Sequence, residues 1–223
     1  WLAGQGNAAC GAAVKANGYG TGASDVVRLL GVAGCRDFFA ATWAEALGIH
    51  AAAGNASISV LHGIREEDMP LALSGIARPV LNTPDQVRRW RDAGGGPCDV
   101  MLDTGMNRLG LSVADATSGL LDGVTIDTLM SHLASADEDV AQNGEQLTAF
   151  RTAIASIPHR RASLANSAGI CLGNDYHFDL TRPGLALYGG IPRPEAAPHI
   201  RAVVQPEAQI LQLRTVAAGQ AVG

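Results

Sequence analysis

The chain has 223 residues, of which 47% are hydrophobic and 17% are charged, and its 27 glycines follow no regular period. This length and composition predict one or two folded domains and exclude a disordered or collagen-like chain. Sixteen basic and 21 acidic residues give a formal net charge of −5, which argues against nucleic-acid binding because a duplex requires a basic face. Charged residues or histidines interrupt every long apolar run, so we predict no membrane span.

The cysteines and the first residues bear on where the protein works. The four cysteines lie far apart without a C-x-x-C pair, which favours reduced thiols in a cytoplasmic protein over a disulfide scaffold or a closed zinc site. They are Cys10, Cys35, Cys98 and Cys171. The chain opens at Trp1 without a basic leader or an initiator methionine, so we expect no secretion signal and a natural start further upstream.

Short β-prone runs alternate along the chain with longer stretches that are rich in Ala and Leu and have helical spacing. Strands are predicted at 12–16, 38–42, 57–62, 78–82, 99–103, 124–133, 162–166 and 178–182. Helices are predicted at 22–33, 43–53, 66–74, 83–93, 113–122, 141–156, 167–173 and 183–189. The fourth helix has the clearest start, because Thr83 can cap it, Pro84 occupies its first position and Gln86 follows three residues after the cap.

Eight alternations of strand and helix with short connections predict a parallel sheet, because each parallel crossover needs a helix of its own. Eight is also the number that closes a (β/α)8 TIM-type barrel, an α/β fold, and an open doubly wound sheet is the alternative. The pattern changes after Pro192, and alternation predicts a strand over 207–216. We therefore expect a barrel at 1–200 and, at 201–223, the first strand of a C-terminal β-domain that is cut off at Gly223.

In a barrel, reactive residues lie at the carboxyl ends of the strands. Lys15 ends the first predicted strand within an apolar segment, where desolvation favours the neutral, nucleophilic amine that forms Schiff bases. The alternative is a lysine that reaches water or pairs with a carboxylate. The glycine-rich stretch 18–22 follows at once and lacks the dinucleotide spacing, so it is either a phosphate cradle or an ordinary turn.

Two further strand ends carry ionisable residues. Asp103 and Arg108 follow the fifth strand, where Arg108 either recognises an anion or forms a structural pair with the aspartate. His132 precedes the acidic run 137–139. A metal site is disfavoured there because consecutive acids cannot all point the same way, and a solvated helix cap is the simpler interpretation.

The last two strands end in groups that suit a phosphate. Asn166 and Ser167 follow the seventh strand, and Arg182 and Gly184 follow the eighth. The loops after strands seven and eight are the usual phosphate site of a barrel. With Lys15 opposite, these positions describe a phosphorylated ligand across the barrel mouth, and a pyridoxal phosphate enzyme fits that description.

Five segments in order resemble the signatures of bacterial alanine racemases, which are pyridoxal phosphate enzymes. They are residues 13–20, 103–110, 131–138, 165–169 and 182–189. Together these motifs are highly specific, although any single one would not be. The resemblance implies an isomerase that interconverts L- and D-alanine and supplies D-alanine for peptidoglycan, with alanine as its small-molecule substrate.

The resemblance also assigns roles around the cofactor. Lys15 would bind pyridoxal phosphate covalently and serve as the base on one face of the substrate Cα. Tyr19, Ser167 and the backbone near Gly184 and Leu185 would bind the phosphate.

Four further residues receive roles from the same resemblance. His132 would pack against the pyridine ring, and Asn166 would line the cofactor site. Arg108 would contact the phenolic oxygen of the cofactor and the substrate carboxylate. Arg182 would face the pyridine nitrogen without giving up its proton, because a guanidinium stays charged near neutral pH.

The sequence departs from the family pattern at two places. Met101 stands where many members have a carbamylated lysine that orients the following arginine, so Arg108 must be positioned otherwise. The second base of the family is a tyrosine after a segment like 220–223, acting across the interface of a homodimer. We expect it beyond Gly223, so that this chain binds the cofactor but racemises poorly or not at all. A racemase for serine or another small amino acid, and a non-catalytic pyridoxal phosphate-binding barrel, remain alternatives.

Overall fold

Parallel strands alternate with helices in a computed structural model that describes residues 1–222. The strands are β1 Ala9–Cys10, β2 Ala12–Ala13, β3 Asp37–Ala40, β4 Ser57–Val60, β5 Arg78–Leu81, β6 Cys98–Asp103, β7 Leu111–Ser112, β8 Ile126–Met130, β9 Arg161–Ser163 and β10 Leu180–Thr181. The helices are α1 Lys15–Tyr19, α2 Ala23–Val32, α3 Trp43–Ala53, α4 Met69–Leu73, α5 Pro84–Asp92, α6 Val113–Ala116, α7 Ala141–Ile154 and α8 Ser167–Cys171.

Hydrogen bonds join the strands into a ring. The main sheet runs β2-β3-β4-β5-β6-β8-β9 with every pair parallel, and β1 pairs with β10. The amide of Arg182 donates to Ala165 O at 2.8 Å, and the amide of Ala13 donates to Pro183 O at 2.9 Å. These bonds connect the segment after β10 to the residues that follow β9 on one side and to β2 on the other. The barrel prediction is confirmed, and the open doubly wound alternative is wrong.

Alternating residues of the strands pack into two apolar clusters on opposite faces of the sheet. Phe38 belongs to the large core between the strands and the helices, whereas Phe39 lies in a smaller cluster with other apolar strand residues. The other members of that cluster are Val80, Met101, Met130 and Leu180. Because successive side chains of a strand point to opposite faces, the smaller cluster fills the interior of the barrel.

Charged residues occupy the amino ends of the strands. Arg161 Nη2 lies 2.7 Å from Asp37 Oδ1 and 3.0 Å from Asp127 Oδ2, and Arg78 Nη2 lies 3.1 Å from Asp127 Oδ2. Burial raises the pKa of Asp127, but the surrounding arginines outweigh it and hold that pKa at about 2. This network ties β3, β5, β8 and β9 together at the end of the barrel where residues usually serve stability.

Helix starts follow their sequence signals. Thr83 Oγ1 accepts a hydrogen bond from Gln86 N at 3.2 Å, with Pro84 at the first helical position, so the predicted cap of α5 is confirmed. The Gln86 side chain reaches one residue further than a standard capping box, because its Oε1 accepts from Asn82 N at 2.8 Å.

Several predicted boundaries were wrong. The predicted helix 113–122 ends at Ala116, and 183–189 forms only the 3-10 turn Leu185–Tyr188. The predicted strand 124–133 is shortened to β8, and the first predicted strand stops before Lys15, which begins α1.

The predicted strand 207–216 is also wrong, because residues 201–222 contain no strand or helix. An alternating pattern becomes a strand only when another strand supplies hydrogen bonds. Gly223 lies outside the described residues, and the domain division at residue 200 stays a prediction. No helix within residues 1–222 has the length and apolar character needed to cross a bilayer.

Candidate functional site

A cavity of about 380 Å³ lies at the carboxyl ends of the strands. All nine residues that the sequence singled out line it, although they come from widely separated segments. They are Lys15, Tyr19, Arg108, His132, Asn166, Ser167, Arg182, Gly184 and Leu185. The structure thus brings the predicted set together, while the role of each residue stays a prediction.

Lys15 precedes an unusual backbone turn. The next four residues, at 16–19, have φ values of 53°, 52°, 64° and 54°, which place them in the left-handed region. Each non-glycine residue there costs roughly 1–2 kcal/mol. Asn17 Oδ1 accepts from Ala23 N at 3.0 Å, and Glu45 Oε1 accepts from Ala16 N at 2.7 Å. We call residues 16–19 the left-handed turn; the sequence indicated only a strand end and a glycine-rich turn here.

Tyr19 lies against Gly184 at the wall of the cavity. A Cβ on Gly184 would come within 2.3 Å of Tyr19 Oη, so a larger residue at this position would force the Tyr19 ring to shift. The Tyr19 ring stacks on Tyr188 at 4.4 Å, and Tyr188 Oη donates to Ala13 O at 2.9 Å. Burial raises the pKa of Tyr19, so the phenol keeps its proton and can donate it in a hydrogen bond.

The loops after β9 and β10 are joined through one hydroxyl. Ser167 Oγ accepts from Gly184 N at 3.0 Å and from Ala186 N at 3.2 Å. Asn166 caps α8, because its Oδ1 accepts from Gly169 N at 2.9 Å. Hydroxyl and backbone N–H groups therefore converge where barrels usually bind phosphate.

Arg182 is buried without a carboxylate partner within residues 1–222. Its guanidinium donates to Ser163 Oγ and, at 2.5 Å, to Ser131 O, and its Cζ lies 6.0 Å from the centre of the Phe39 ring. Burial lowers the pKa of Arg182 to about 10. The group therefore stays charged at neutral pH, and among residues 1–222 the attraction of the buried Asp99, which forms no ion pair with it, only partly offsets the effect of burial.

His132 is kept neutral by its surroundings. Burial, and then the positive charges of Arg182, Arg108 and Lys15, lower its pKa to about 3. The expectation of a helix cap at His132 is wrong, since Val140 occupies the N-cap position of α7 without a side-chain capping hydrogen bond and the imidazole lines the cavity. Within residues 1–222, no group of three His, Cys, Asp or Glu side chains could hold a metal ion.

Arg108 does not pair with the acid that precedes it. Asp103 Oδ1 instead accepts from three backbone amides at 105–107, at 2.9, 2.9 and 3.1 Å, and no ion pair joins it to Arg108 in the described chain. The structural-pair alternative is therefore wrong, and Arg108 lines the cavity. Met101 lies at the cavity wall and is only 7% exposed, so it supplies no charge there.

Sequence reasoning missed a buried amide behind the site. Gln146 on α7 is 1% exposed; its Nε2 donates to His132 O at 3.0 Å and to Thr104 Oγ1 at 3.2 Å, and its Oε1 accepts from Ala134 N at 2.9 Å. One side chain thus holds the loops that carry His132 and Arg108. A glutamine on the buried face of a helix was the available signal.

The cavity suits an anionic ligand that bears a ring. It presents three cationic side chains, and the one acid in its lining, Asp137, is exposed. A neutral imidazole and a protonated phenol add surfaces for stacking and hydrogen bonding. Lys15 is the only lysine in the sequence, so it is the one side-chain amine available to attack an electrophile.

Comparison with known proteins points to one family. The family model described as "Alanine racemase, N-terminal domain" matches residues 2–192. The alanine racemase of Acidiphilium cryptum is 43% identical over 220 residues, covering 94% of this chain and 62% of the relative. That of Rhodospirillum rubrum is 43% identical over 239 residues, covering 100% of this chain and 64% of the relative.

Solved structures agree. The alanine racemase of Bartonella henselae, with covalently bound pyridoxal phosphate, has a TM-score of 0.82 at 34% identity and covers 90% of this chain and 62% of its own. The alanine racemase of Acinetobacter baumannii gives a TM-score of 0.82 at 29% identity, covering 100% and 65%. The chain therefore spans about three fifths of the length of the proteins it matches.

Proposed function

From the premise that the chain belongs to the alanine racemase family, we propose that it binds pyridoxal phosphate and takes part in the interconversion of L- and D-alanine. We further propose that the protein is cytoplasmic, that it works as a homodimer with the active site at the interface, and that its D-alanine supplies peptidoglycan.

One observation carries the proposal. The cavity combines the only lysine of the chain with a buried Arg182, which forms no ion pair within residues 1–222, and with the hydroxyl and backbone N–H groups around Ser167. An unpaired buried cation is costly unless a ligand completes its environment. A phosphorylated aromatic aldehyde would supply an anion for the cations, a ring for His132 and an electrophile for Lys15.

The close approach of Tyr19 to Gly184 brings the phenol next to the loop that is expected to bind the cofactor phosphate. Tyr19, Ser167 and the backbone amides near Gly184 and Leu185 would hold the phosphate, and Asn166 would line the same wall. The protonated phenol and the N–H groups are donors, which is what phosphate oxygens require.

When bound, pyridoxal phosphate supplies an aldehyde that condenses with an amine, with loss of water, and a ring that withdraws electrons from the carbon next to that amine. Lys15 would then remove or deliver the proton at the substrate Cα on one face, and inversion requires a second acid–base group on the opposite face. Arg108 would bind the substrate carboxylate and the phenolic oxygen of the cofactor, and neutral His132 would stack on the ring.

Arg182 would face the ring nitrogen as a hydrogen-bond donor. With a pKa of about 10 it keeps its proton at neutral pH. Arg182 would therefore hold the ring nitrogen by a hydrogen bond without transferring its proton to it. Rapid return of the proton at Cα would then be favoured over transamination.

Two alternative functions, a non-catalytic cofactor-binding barrel and a serine racemase, are distinguished by the comparison with relatives and by an activity assay. The names of the relatives favour a racemase over a non-catalytic cofactor-binding barrel. Serine remains a second candidate substrate, and it is compared with alanine by following both enantiomers by chiral chromatography. Turnover of serine with none of alanine would contradict the proposal.

The decisive experiment uses the single lysine. The protein is incubated with pyridoxal phosphate, reduced with borohydride and digested, and the modified peptide is identified by mass spectrometry. We expect modification at Lys15 and its loss in Lys15→Ala. The α-amino group of the first residue is the internal control, because it is the other amine of the chain as printed. The same reducible chromophore in Lys15→Ala would refute the cofactor assignment.

A further inference from the structure

We propose that Glu45 is a positioning residue whose carboxylate holds the left-handed turn in the conformation that directs Lys15 and Tyr19 into the cavity. This inference rests on the proposed function, because it concerns how Lys15 meets pyridoxal phosphate. Glu45 lies on α3, outside the cavity lining, and it acts through the backbone.

The left-handed turn needs an external restraint. Ala16, Asn17 and Tyr19 all have positive φ without being glycine, a conformation that L-residues adopt only when surrounding contacts impose it. The turn begins directly after one predicted cofactor contact, Lys15, and ends with the other, Tyr19. Relaxation of the turn would therefore move both side chains at once.

The Glu45 carboxylate supplies that restraint. Its Oε1 accepts from Ala16 N at 2.7 Å, and its Oε2 accepts from Ala41 N at 2.7 Å. Ala16 is the first residue of the left-handed turn, and Ala41 directly follows β3. One charged group thus fastens the turn to the end of a barrel strand through two short hydrogen bonds, which are stronger when the acceptor is ionised.

Glu45 is itself fixed in place. Its amide donates to the Thr42 side chain, which caps α3. The same helix is anchored by Trp43, which is 3% exposed and donates from Nε1 to Gly63 O at 2.8 Å. The carboxylate therefore extends from a rigid support, and its position is set by the fold and not by the turn that it holds.

Gln86 occupies the corresponding place on α5 and explains why a carboxylate is needed at position 45. Its Oε1 accepts from Asn82 N at 2.8 Å, as Glu45 accepts from Ala41 N. Its second atom, Nε2, instead donates to His62 O at 3.2 Å. A carbonyl partner requires an amide, whereas the Ala16 N–H requires a second oxygen. The two helices share one local motif and differ in the backbone group that the second terminal atom of the side chain binds, which is an N–H for Glu45 and a carbonyl for Gln86.

Glu45→Gln tests this directly, because it keeps the shape and one oxygen but places an amide N–H₂ against a backbone N–H. Gln86→Glu is the matched control, since it disturbs the same motif away from the left-handed turn. For each protein we would measure the rate at which pyridoxal phosphate forms the borohydride-fixable adduct at Lys15. Hydrogen exchange of the amides at 16–19 in the cofactor-free protein provides a second readout.

We expect Glu45→Gln to slow adduct formation about tenfold or more, the effect of losing one charge-assisted hydrogen bond, and to accelerate exchange at 16–19 by a similar factor. Gln86→Glu should stay within about twofold of wild type in both measurements. Ala16→Gly in the Glu45→Gln background should restore at least part of the adduct rate, because glycine adopts positive φ without strain.

The outcomes separate the two proposals. No adduct at Lys15 in the wild type would overturn the proposed function and the inference with it. An adduct in the wild type that forms at an unchanged rate in Glu45→Gln would overturn the inference alone. Equal slowing in Gln86→Glu, or no rescue by Ala16→Gly, would also overturn it. Should Glu45→Gln not fold, Glu45→Asp, which is too short to reach both amides, is measured in its place.

Discussion

Replacing His132 by phenylalanine should remove a large part of the acid sensitivity of the cofactor-free protein. In the folded state, burial and then the neighbouring cations lower the pKa of His132 from 6.5 to about 3. A histidine with a depressed folded pKa contributes stability that is present above its unfolded pKa and is lost as the pH falls below it. The relevant window therefore runs from about pH 6.5 down to about pH 3.

The magnitude follows from the same values. Near pH 4 the unfolded chain holds a proton at this histidine while the folded chain does not. This pH lies roughly 2.5 units below the pKa of the unfolded state, and the free-energy difference grows with that distance. At about 1.4 kcal/mol per unit, the wild type should lose about 3.5 kcal/mol more free energy of unfolding between pH 7 and pH 4 than a variant without the imidazole. Other titrating groups cancel in this comparison.

Urea denaturation at pH 7, 5.5 and 4 measures the effect in wild type, His132→Phe and His132→Asn. The two variants differ in size and polarity, so their absolute stabilities will differ. Their pH dependence should nevertheless agree, because neither side chain titrates. If both variants lose stability in parallel with the wild type, the cavity does not hold His132 neutral, and the proposed cationic environment around it is incorrect.

Two further substitutions test local geometry. Gly184→Ala puts a Cβ 2.3 Å from Tyr19 Oη, so the ring must move by about 1 Å. Equilibrium dialysis should then show about tenfold weaker binding of pyridoxal phosphate. The control Gly144→Ala, whose new Cβ meets nothing within 4 Å, should bind the cofactor as the wild type does. Thr83→Ala removes the cap of α5 and should lower the free energy of unfolding by about 1 kcal/mol in urea denaturation. Thr83→Ser, which keeps the hydroxyl, should not; an equal loss in both would contradict the cap assignment.

Local signals were sufficient for most elements of the barrel. The predicted helix 43–53 is observed as Trp43–Ala53, because a capping threonine and a buried apolar face specify both its start and its packing. The prediction of a strand at 207–216 was wrong because the local pattern did not include the partner that a strand needs. Alternation describes which face of a strand would be buried, but strand formation depends on a partner that the local sequence does not specify.

The candidate site shows the same division. Residue types at the strand ends pointed to Lys15 and to the loops after strands seven and eight, and the family resemblance completed the set of nine residues, all of which line the cavity. They meet there because parallel strands bring their carboxyl ends to one face of a barrel. The sequence could not show that Asp103 would bind backbone amides and leave Arg108 unpaired. That choice depends on the conformation of the loop that joins them.

The sequence by itself determined the order of strands and helices, the single lysine and the polar residues at the strand ends. Only the tertiary structure decided the left-handed turn at 16–19, the neutral state of His132 and the contacts of Glu45 and Gln146. Positive φ angles are imposed by distant partners, and pKa values depend on burial and on charges brought close by folding. Neither quantity is encoded in the residues next to the position concerned, so both appear only when the barrel has closed.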